Sequence, residues 1–393
     1  MSDKLDVAKH LSVYIHIPFC RKKCAYCDFI SFSGKEEQIS EYIASLCSEI
    51  RDQAAVLPGQ FVQTVYIGGG TPSLLPEESI SNILSELKAS FKIATGTEIT
   101  LEANPESVTS EKAVKWKHAG INRLSLGVQS FRDNELQLLG RIHNSKTAQN
   151  AFLLLRDSGF ENINLDLMYG LPGQTLKDWQ VSLAIMQTLE PKHLSCYQLI
   201  LEEGTSLAQL MQQGKLPTIA DEDVLIQMDC TTREAVASCG MECYEVSNYA
   251  VPGYECRHNL NYWECGSYLG IGCAAHGDRM GRRVFNTYSL AEYLSGNPMA
   301  REIPENDNSP EDRRFERMMM GLRMQRGVDL TRFKNDFGDN PDAYWPESIG
   351  FMIENQYICI KKNRMALTES GMRVMNALLV RMLEEQDRIK DEK

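Results

Sequence analysis

"NINLDLMYGLPGQTLKDWQVSLAIMQTLEPKHLSCYQL", residues 162–199, is one strand, one helix and a second strand in 38 residues. The runs 162–169 and 193–199 are short and apolar, while 175–189 spaces its apolar residues as a helix does and starts beside a Thr. Gly and Pro mark the turn between the first strand and the helix. The same alternation recurs upstream. Strands are expected at 12–17, 64–69, 98–103 and 122–128, with helices at 37–56, 76–92, 109–119 and 146–158 between them. Successive βα units make a parallel sheet. Six are fewer than the eight of a closed barrel, so the fold class is α/β, a partial (βα)6 barrel with its chemistry at the carboxyl ends of the strands.

Beyond residue 240 the pattern changes. Residues 241–300 are rich in Gly, Cys, Tyr and Asn and look irregular, and "NPMAREIPENDNSPEDRR" (297–314) reads as a polar linker. The last part gives helices near 311–324, 330–337, 346–354 and 368–390, with a short strand pair in "YICIKKNRMALT". The expected division is a tail at 1–11, the barrel at 12–240, the irregular segment at 241–300, and a mostly helical, winged-helix-like domain at 301–393.

The formal charge of −12 excludes a general nucleic-acid binder, and the basic "RMGRR" at 279–283 is too short to reverse that. Twelve cysteines in 393 residues, with no secretory leader in "MSDKLDVAKHLS", point to a reducing cytoplasm. No apolar run is long enough for a membrane span.

The first strand ends in "YIHIPFCRKKCAYCDF" (14–29), which puts Cys20, Cys24 and Cys27 in one loop. A structural zinc site wants four ligands, usually in two pairs, and no second CxxC follows at that distance. Cys239 and Cys243 are read as buried thiols. Three thiolates suit an iron–sulfur cube, each capping one iron and leaving the fourth open for a substrate.

This CxxxCxxC spacing, with Tyr26 before the last Cys, resembles the radical S-adenosylmethionine (SAM) superfamily. The resemblance implies a [4Fe-4S] cluster on Cys20, Cys24 and Cys27, with SAM on the open iron. "GGGTP" (68–72), with Gly69, Gly70 and Thr71, is where that family takes the methionine amino group. Glu102 in "LEANP", Gln129 in "RLSLGVQSF", Arg141 in "LLGRIH" and Asp166 in "NLDLMYGLPGQT" complete the implied SAM set with Tyr14, Tyr26 and Phe29. A guanidinium suits a carboxylate, and late-strand acids suit ribose hydroxyls or an ammonium group.

Within the superfamily these motifs are similar to the oxygen-independent coproporphyrinogen III oxidase group and its HemW-type heme chaperone relatives, over about residues 12–380. Oxidases of that group carry a further Cys where this chain has Phe29, and a longer N-terminal arm. "RHNLNYW" (257–263) matches the HNxxYW motif of the chaperone branch, where the His binds heme. The resemblance therefore implies heme on His258, with Tyr262 and Trp263 against the porphyrin. A neutral imidazole is a good axial ligand. Cys256 and Cys265 could offer a thiolate instead, and His276 has no assigned role. Implied partners are heme, SAM, an electron donor, heme donor and acceptor proteins such as membrane-bound respiratory enzymes, and a second copy of the chain. The implied location is cytoplasmic, peripheral to a membrane during transfer. The alternative is an enzyme of porphyrin biosynthesis, decarboxylating two propionates of coproporphyrinogen III with a 5′-deoxyadenosyl radical, in which Tyr14 has a catalytic role. A third class, a zinc-containing winged-helix regulator, lacks a fourth ligand.

Overall fold

The computed structural model describes residues 10–279, 281–305 and 309–391. The tail read over 1–11 lies outside the described residues except for its last two. Met280 of the basic run and residues 306–308 of the polar stretch lie outside them too.

The barrel runs β1 (His10–Ile17), α1 (Ile39–Val56), β2 (Phe61–Gly69), α2 (Glu77–Ser90), β3 (Lys92–Ala103), α3 (Ser110–Ala119) and β4 (Arg123–Gln129). It continues through α4 (Asp133–Leu138), α5 (Ser145–Asp157), β5 (Asn162–Tyr169), α6 (Leu176–Leu189) and β6 (His193–Gln198). Helix α6 starts where expected because Thr175 and Asp178 form a reciprocal capping box. Thr109 and Asn144 cap α3 and α5 through a side-chain oxygen that accepts from Lys112 N–H and Thr147 N–H.

Helices α7 (Ser206–Gln212) and α8 (Glu222–Ser238) lead into the segment expected to be irregular. That segment instead extends the sheet. It holds β7 (Glu242–Cys243), β8 (Asn248–Ala250), α9 (Arg257–Trp263), β9 (Tyr268–Ile271), β10 (His276–Arg279), β11 (Arg282–Phe285), α10 (Leu290–Leu294) and β12 (Ile303–Pro304). Among the described residues twelve strands form one sheet, in the order β12-β11-β10-β9-β1-β2-β3-β4-β5-β6-β8-β7. β1 to β6 pair in parallel, β9 joins β1 in parallel, and β8 joins β6 antiparallel. The sheet does not close, and β12 and β7 are its edges.

Strand residues alternate between two environments, as the pleat requires. Val13, Ile15, Val65, Ile67, Leu101, Leu124, Leu126 and Leu165 are buried under the helices with Tyr42, Leu46, Ile83, Trp116, Phe152 and Trp179. The intervening residues are polar and lie in rows across the opposite face. Ser12 pairs with Thr64 and Thr64 with Glu98, while Glu102, Ser125, Asn164 and His193 form a second row. Helix α9 lies on this polar face against β2, where the His258 ring sits 5.3 Å from that of Tyr66.

The C-terminal part holds α11 (Pro310–Gly321), β13 (Val328–Asp329), α12 (Leu330–Phe337), α13 (Pro341–Tyr344), α14 (Pro346–Glu354), β14 (Ile358–Lys361), β15 (Arg364–Leu367), α15 (Glu369–Arg373) and α16 (Met375–Asp391). Met318, Phe333, Trp345, Ile349, Met352 and Met382 form a second apolar core there. Among the described residues no helix is long and apolar enough to cross a membrane.

Glu49 ties the added strands to α1. Its fully buried carboxylate accepts from Gly272 N–H at 3.0 Å, Asn286 Nδ2 at 2.6 Å and the Tyr293 hydroxyl at 2.6 Å. Glu49→Ala removes the acceptor of Gly272 N–H and the Tyr293 hydroxyl and one of the two acceptors of Asn286 Nδ2, which also reaches Gly272 O at 2.9 Å, and should cost about 3 kcal/mol in urea unfolding. A cost below about 1 kcal/mol would show that the segment docks without it.

Candidate functional site

Loop 18–32 leaves β1 and returns to it: Phe32 N–H donates to Pro18 O at 2.6 Å and Cys20 N–H to Phe32 O at 3.0 Å. His16 holds the returning arm, with Nε2 3.0 Å from Ile30 O and Nδ1 2.8 Å from the Tyr14 hydroxyl. The middle is tied at Ala25, whose N–H reaches Leu139 O at 2.9 Å and whose carbonyl accepts from Leu207 N–H at 2.8 Å. So pinned, Cys20, Cys24 and Cys27 face one cavity of about 580 Å³ at the carboxyl ends of the strands. Burial pushes the Cys20 and Cys27 thiols up, so each is a neutral thiol until a cation joins it.

The same loop adds Tyr26 and Phe29 to the lining, the strand ends add Gly69, Gly70, Thr71, Glu102, Gln129 and Asp166, and the turn after α4 adds Arg141. Phe29, 69% exposed, and Ile200, 70% exposed, are the most open apolar side chains of the lining. Arg141 reaches Gly127 O at 2.6 Å, Asn104 Oδ1 at 2.7 Å and Cys24 Sγ at 3.5 Å. A bulge in β4 turns Gln129 into the cavity, at a φ of 67° that a residue with a side chain rarely adopts. Gly127 sits where Asn104, Gln129 and Arg141 converge, each within 3.4 Å of any Cβ placed there. Glu102 accepts from the Tyr66 hydroxyl at 2.8 Å and Gly69 N–H at 3.0 Å, and burial lifts its carboxyl to about 7. Asp166, raised by burial, accepts from Asn164 Nδ2 at 2.7 Å and Ser125 Oγ at 3.2 Å.

These residues fit a cluster and a zwitterionic ligand. The three thiols line one cavity, and a cube takes one thiolate per iron. Any Cβ at Gly70 would stand 3.0 Å from Cys20 Sγ and 2.8 Å from Phe19 O, so the bare backbone there is what leaves space beside the thiols.

The remaining expected residues lie elsewhere. Tyr14 does not line the cavity; its ring stands 6.3 Å from that of Tyr66 on the neighbouring strand. Tyr262 and Trp263 line a second cavity of about 520 Å³, between the flanks of the open sheet, with Tyr197, Tyr268, Cys265 and Met320. Tyr197 and Asn259 line both cavities. His258, expected to face heme, is 0% exposed. Its Nδ1 is 2.8 Å from Thr64 Oγ1 and its Nε2 2.8 Å from the Tyr262 hydroxyl, so neither nitrogen is free for iron in this conformation. Burial, then Arg123, keeps its imidazole neutral. Cys256 is fully buried beside Glu98. His276 stacks on Phe285, 5.7 Å between ring centres, outside both cavities. Cys243 lies outside them too and donates to Glu245 O at 3.0 Å.

The sequence reading did not single out Tyr66, Asn104, Arg123, Ser125, Asn164 or Tyr197, all of which line the first cavity. The available signal was a polar residue at every second position of an otherwise apolar strand, as in "NINLDLMY".

Comparisons with known proteins agree with this architecture. Residues 14–184 match the Radical SAM superfamily and residues 308–374 the HemN C-terminal domain. The chain is 37% identical to heme chaperone HemW of Haemophilus influenzae over 96% of this chain and 98% of that protein. It is 36% identical to those of Escherichia coli (95% and 98%) and Bacillus subtilis (92% and 96%). The solved structure of coproporphyrinogen III oxidase HemN from Escherichia coli superposes with a TM-score of 0.82 over 96% of this chain and 92% of that one. At 21% identity that likeness speaks to the fold alone.

Glu102 makes stability depend on pH. Its folded carboxyl holds its proton to about pH 7, against an ordinary value of 4.5, so its contribution is full below 4.5 and is lost as pH rises to about 7. In ligand-free protein the loss across that window is about 3 kcal/mol. Glu102→Gln should flatten the stability curve between pH 5 and 7.5 in denaturant titrations. An unchanged slope would place the titration elsewhere.

Proposed function

The chain belongs to the HemW family of the radical SAM superfamily, and on that premise we propose that it is a heme chaperone, binding a [4Fe-4S] cluster, SAM and heme and passing heme to heme-requiring proteins such as respiratory enzymes. Cys20, Cys24 and Cys27 are the cluster ligands. A reduced cluster of this kind supplies one electron toward SAM. Gly69, Gly70 and Thr71 receive the methionine end beside the thiols, and Arg141 takes its carboxylate. Glu102, Gln129 and Asp166 hold the ammonium and ribose groups, with Tyr26 and Phe29 closing the mouth. Tyr14 holds His16, and through it the cysteine loop, in place. An electron donor, a heme donor and a homodimer belong to the same reading, as does a cytoplasmic site of action with contact at a membrane during transfer.

The observation that carries the proposal is the pair of cavities sharing Tyr197 and Asn259. One is rimmed by the three thiols and suits the cofactors; the other is walled by aromatic rings and suits a flat, largely apolar cargo. The oxidase alternative has fold likeness behind it and no closer relative among the comparisons above.

Two measurements separate the readings. Anaerobic titration of cluster-reconstituted protein with heme should give a saturable Soret shift. Incubation with coproporphyrinogen III, SAM and a reductant should leave its propionates intact. No Soret change, or decarboxylated product, would overturn the chaperone reading. Replacing Cys20, Cys24 and Cys27 by Ala should abolish bound iron and sulfide and the brown absorbance near about 400 nm typical of such clusters.

A further inference from the structure

Resting on that reading of the two chambers, we infer that Arg123 anchors a carboxylate-bearing ligand on the floor of the first cavity, beneath the groups assigned to SAM.

Strand register puts Arg123 there. Tyr66, Thr100, Arg123 and Asn162 pair across β2 to β5 as one row, two residues toward the amino ends from Glu102, Ser125 and Asn164. Arg123 is 2% exposed and lines the cavity. The acidic and phenolic groups around it are engaged elsewhere. Glu98 accepts from Arg257 N–H and His258 N–H at 3.1 Å each, the Tyr66 hydroxyl donates to Glu102 at 2.8 Å, and the Tyr244 hydroxyl stands 2.8 Å from His193 Nε2. Cys256, Glu98, Tyr66 and Tyr244 act on the guanidinium through space, and its Nε has no hydrogen-bond partner. Oγ1 of Thr100, the next residue of the row, has none either.

A guanidinium keeps its proton in a folded protein, so the floor carries a permanent positive charge. Burying such a charge without a hydrogen-bonded partner is costly, and an apolar side chain of similar volume would fill the space without that cost. A ligand carboxylate gives the charge a use, since its two oxygens meet the planar fork side by side. Phosphate meets the fork as well but brings further negative charge beside Glu102 and Asp166, which line the same cavity. The carboxylate of SAM is not the one meant. Arg141, assigned to it, reaches Gly127 O, four residues along β4 from Arg123 and about 13 Å away at the rise of a strand. The cavity therefore holds a guanidinium toward each end, and one is left for a second ligand. Two sources carry the required group: a propionate of heme, whose chamber shares Tyr197 and Asn259 with this one, and a small carboxylic acid lying below SAM.

The test uses the cluster-reconstituted, SAM-loaded chain as wild type, Arg123→Met and Arg123→Lys. Each is titrated with ferric heme and with its dimethyl ester in one non-ionic detergent, and each is melted in about 100 mM sodium propionate against equal sodium chloride. If heme supplies the group, wild type should bind the diester about 10- to 100-fold more weakly than heme, and Arg123→Met should bind both alike. Arg123→Lys, which keeps the charge and loses the fork, should show an intermediate penalty, and it serves alone if the Met variant does not fold. If a small acid supplies it, heme and diester should bind wild type alike, and propionate should raise the melting temperature of wild type and not of Arg123→Met. Equal binding of heme and diester with no such rise overturns the inference in wild type, with no variant needed. So does a diester penalty undiminished in both variants. Absence of heme binding by wild type overturns the cargo reading instead and leaves the propionate melts to decide the inference.

Discussion

The site depends on the parallel register of β1 to β6. Pairing in step places Tyr14 beside Tyr66, Glu102 beside Ser125, and Asp166 beside Ser195. One residue further along each strand is an apolar residue, Cys196 in β6, that the helices bury. A slip of one position in β3 or β5 would send Glu102 or Asp166 under the helices and an apolar residue into the cavity, so folding and site assembly obey one constraint. The polar groups placed inside are not solitary. Asn164 donates to Asp166 and to Ser125, and it accepts from Ser195, which answers the cost of burying them.

Much of the barrel was legible because its signals are local. Helix α6 announces itself by Thr175 and Asp178, and α12 occupies the expected 330–337 behind the Asp329 cap. The strands between 242 and 304 were not legible, since two- to four-residue pieces rich in Gly and Arg carry no period long enough to read. They are held by distant partners, such as Glu49, that nothing in their own sequence identifies. Helix α4 was missed because six residues make too short a pattern.

For the site, motif residues were easy to pick out and their surroundings were not. Cys20, Cys24 and Cys27 are conspicuous by spacing, and Glu102 and Asp166 by position late in strands. Arg123, fully buried at the floor of the cavity, resembles an ordinary charge before a strand until the fold encloses it. His258 shows the opposite difficulty. Its residue type suggests iron, yet whether an imidazole faces a cavity or a neighbouring Thr64 and Tyr262 is settled by tertiary packing that spans almost the whole barrel.

The wall formed by Tyr197 and Asn259 has a thermodynamic meaning of its own. A side chain that contacts two ligands at once cannot adjust to one without altering its fit to the other. Whatever factor an occupant of the thiol-rimmed chamber imposes on affinity in the aromatic chamber, the reverse factor is identical, because both describe one free-energy difference. Occupancy of either chamber is thereby legible from the other side of those two residues.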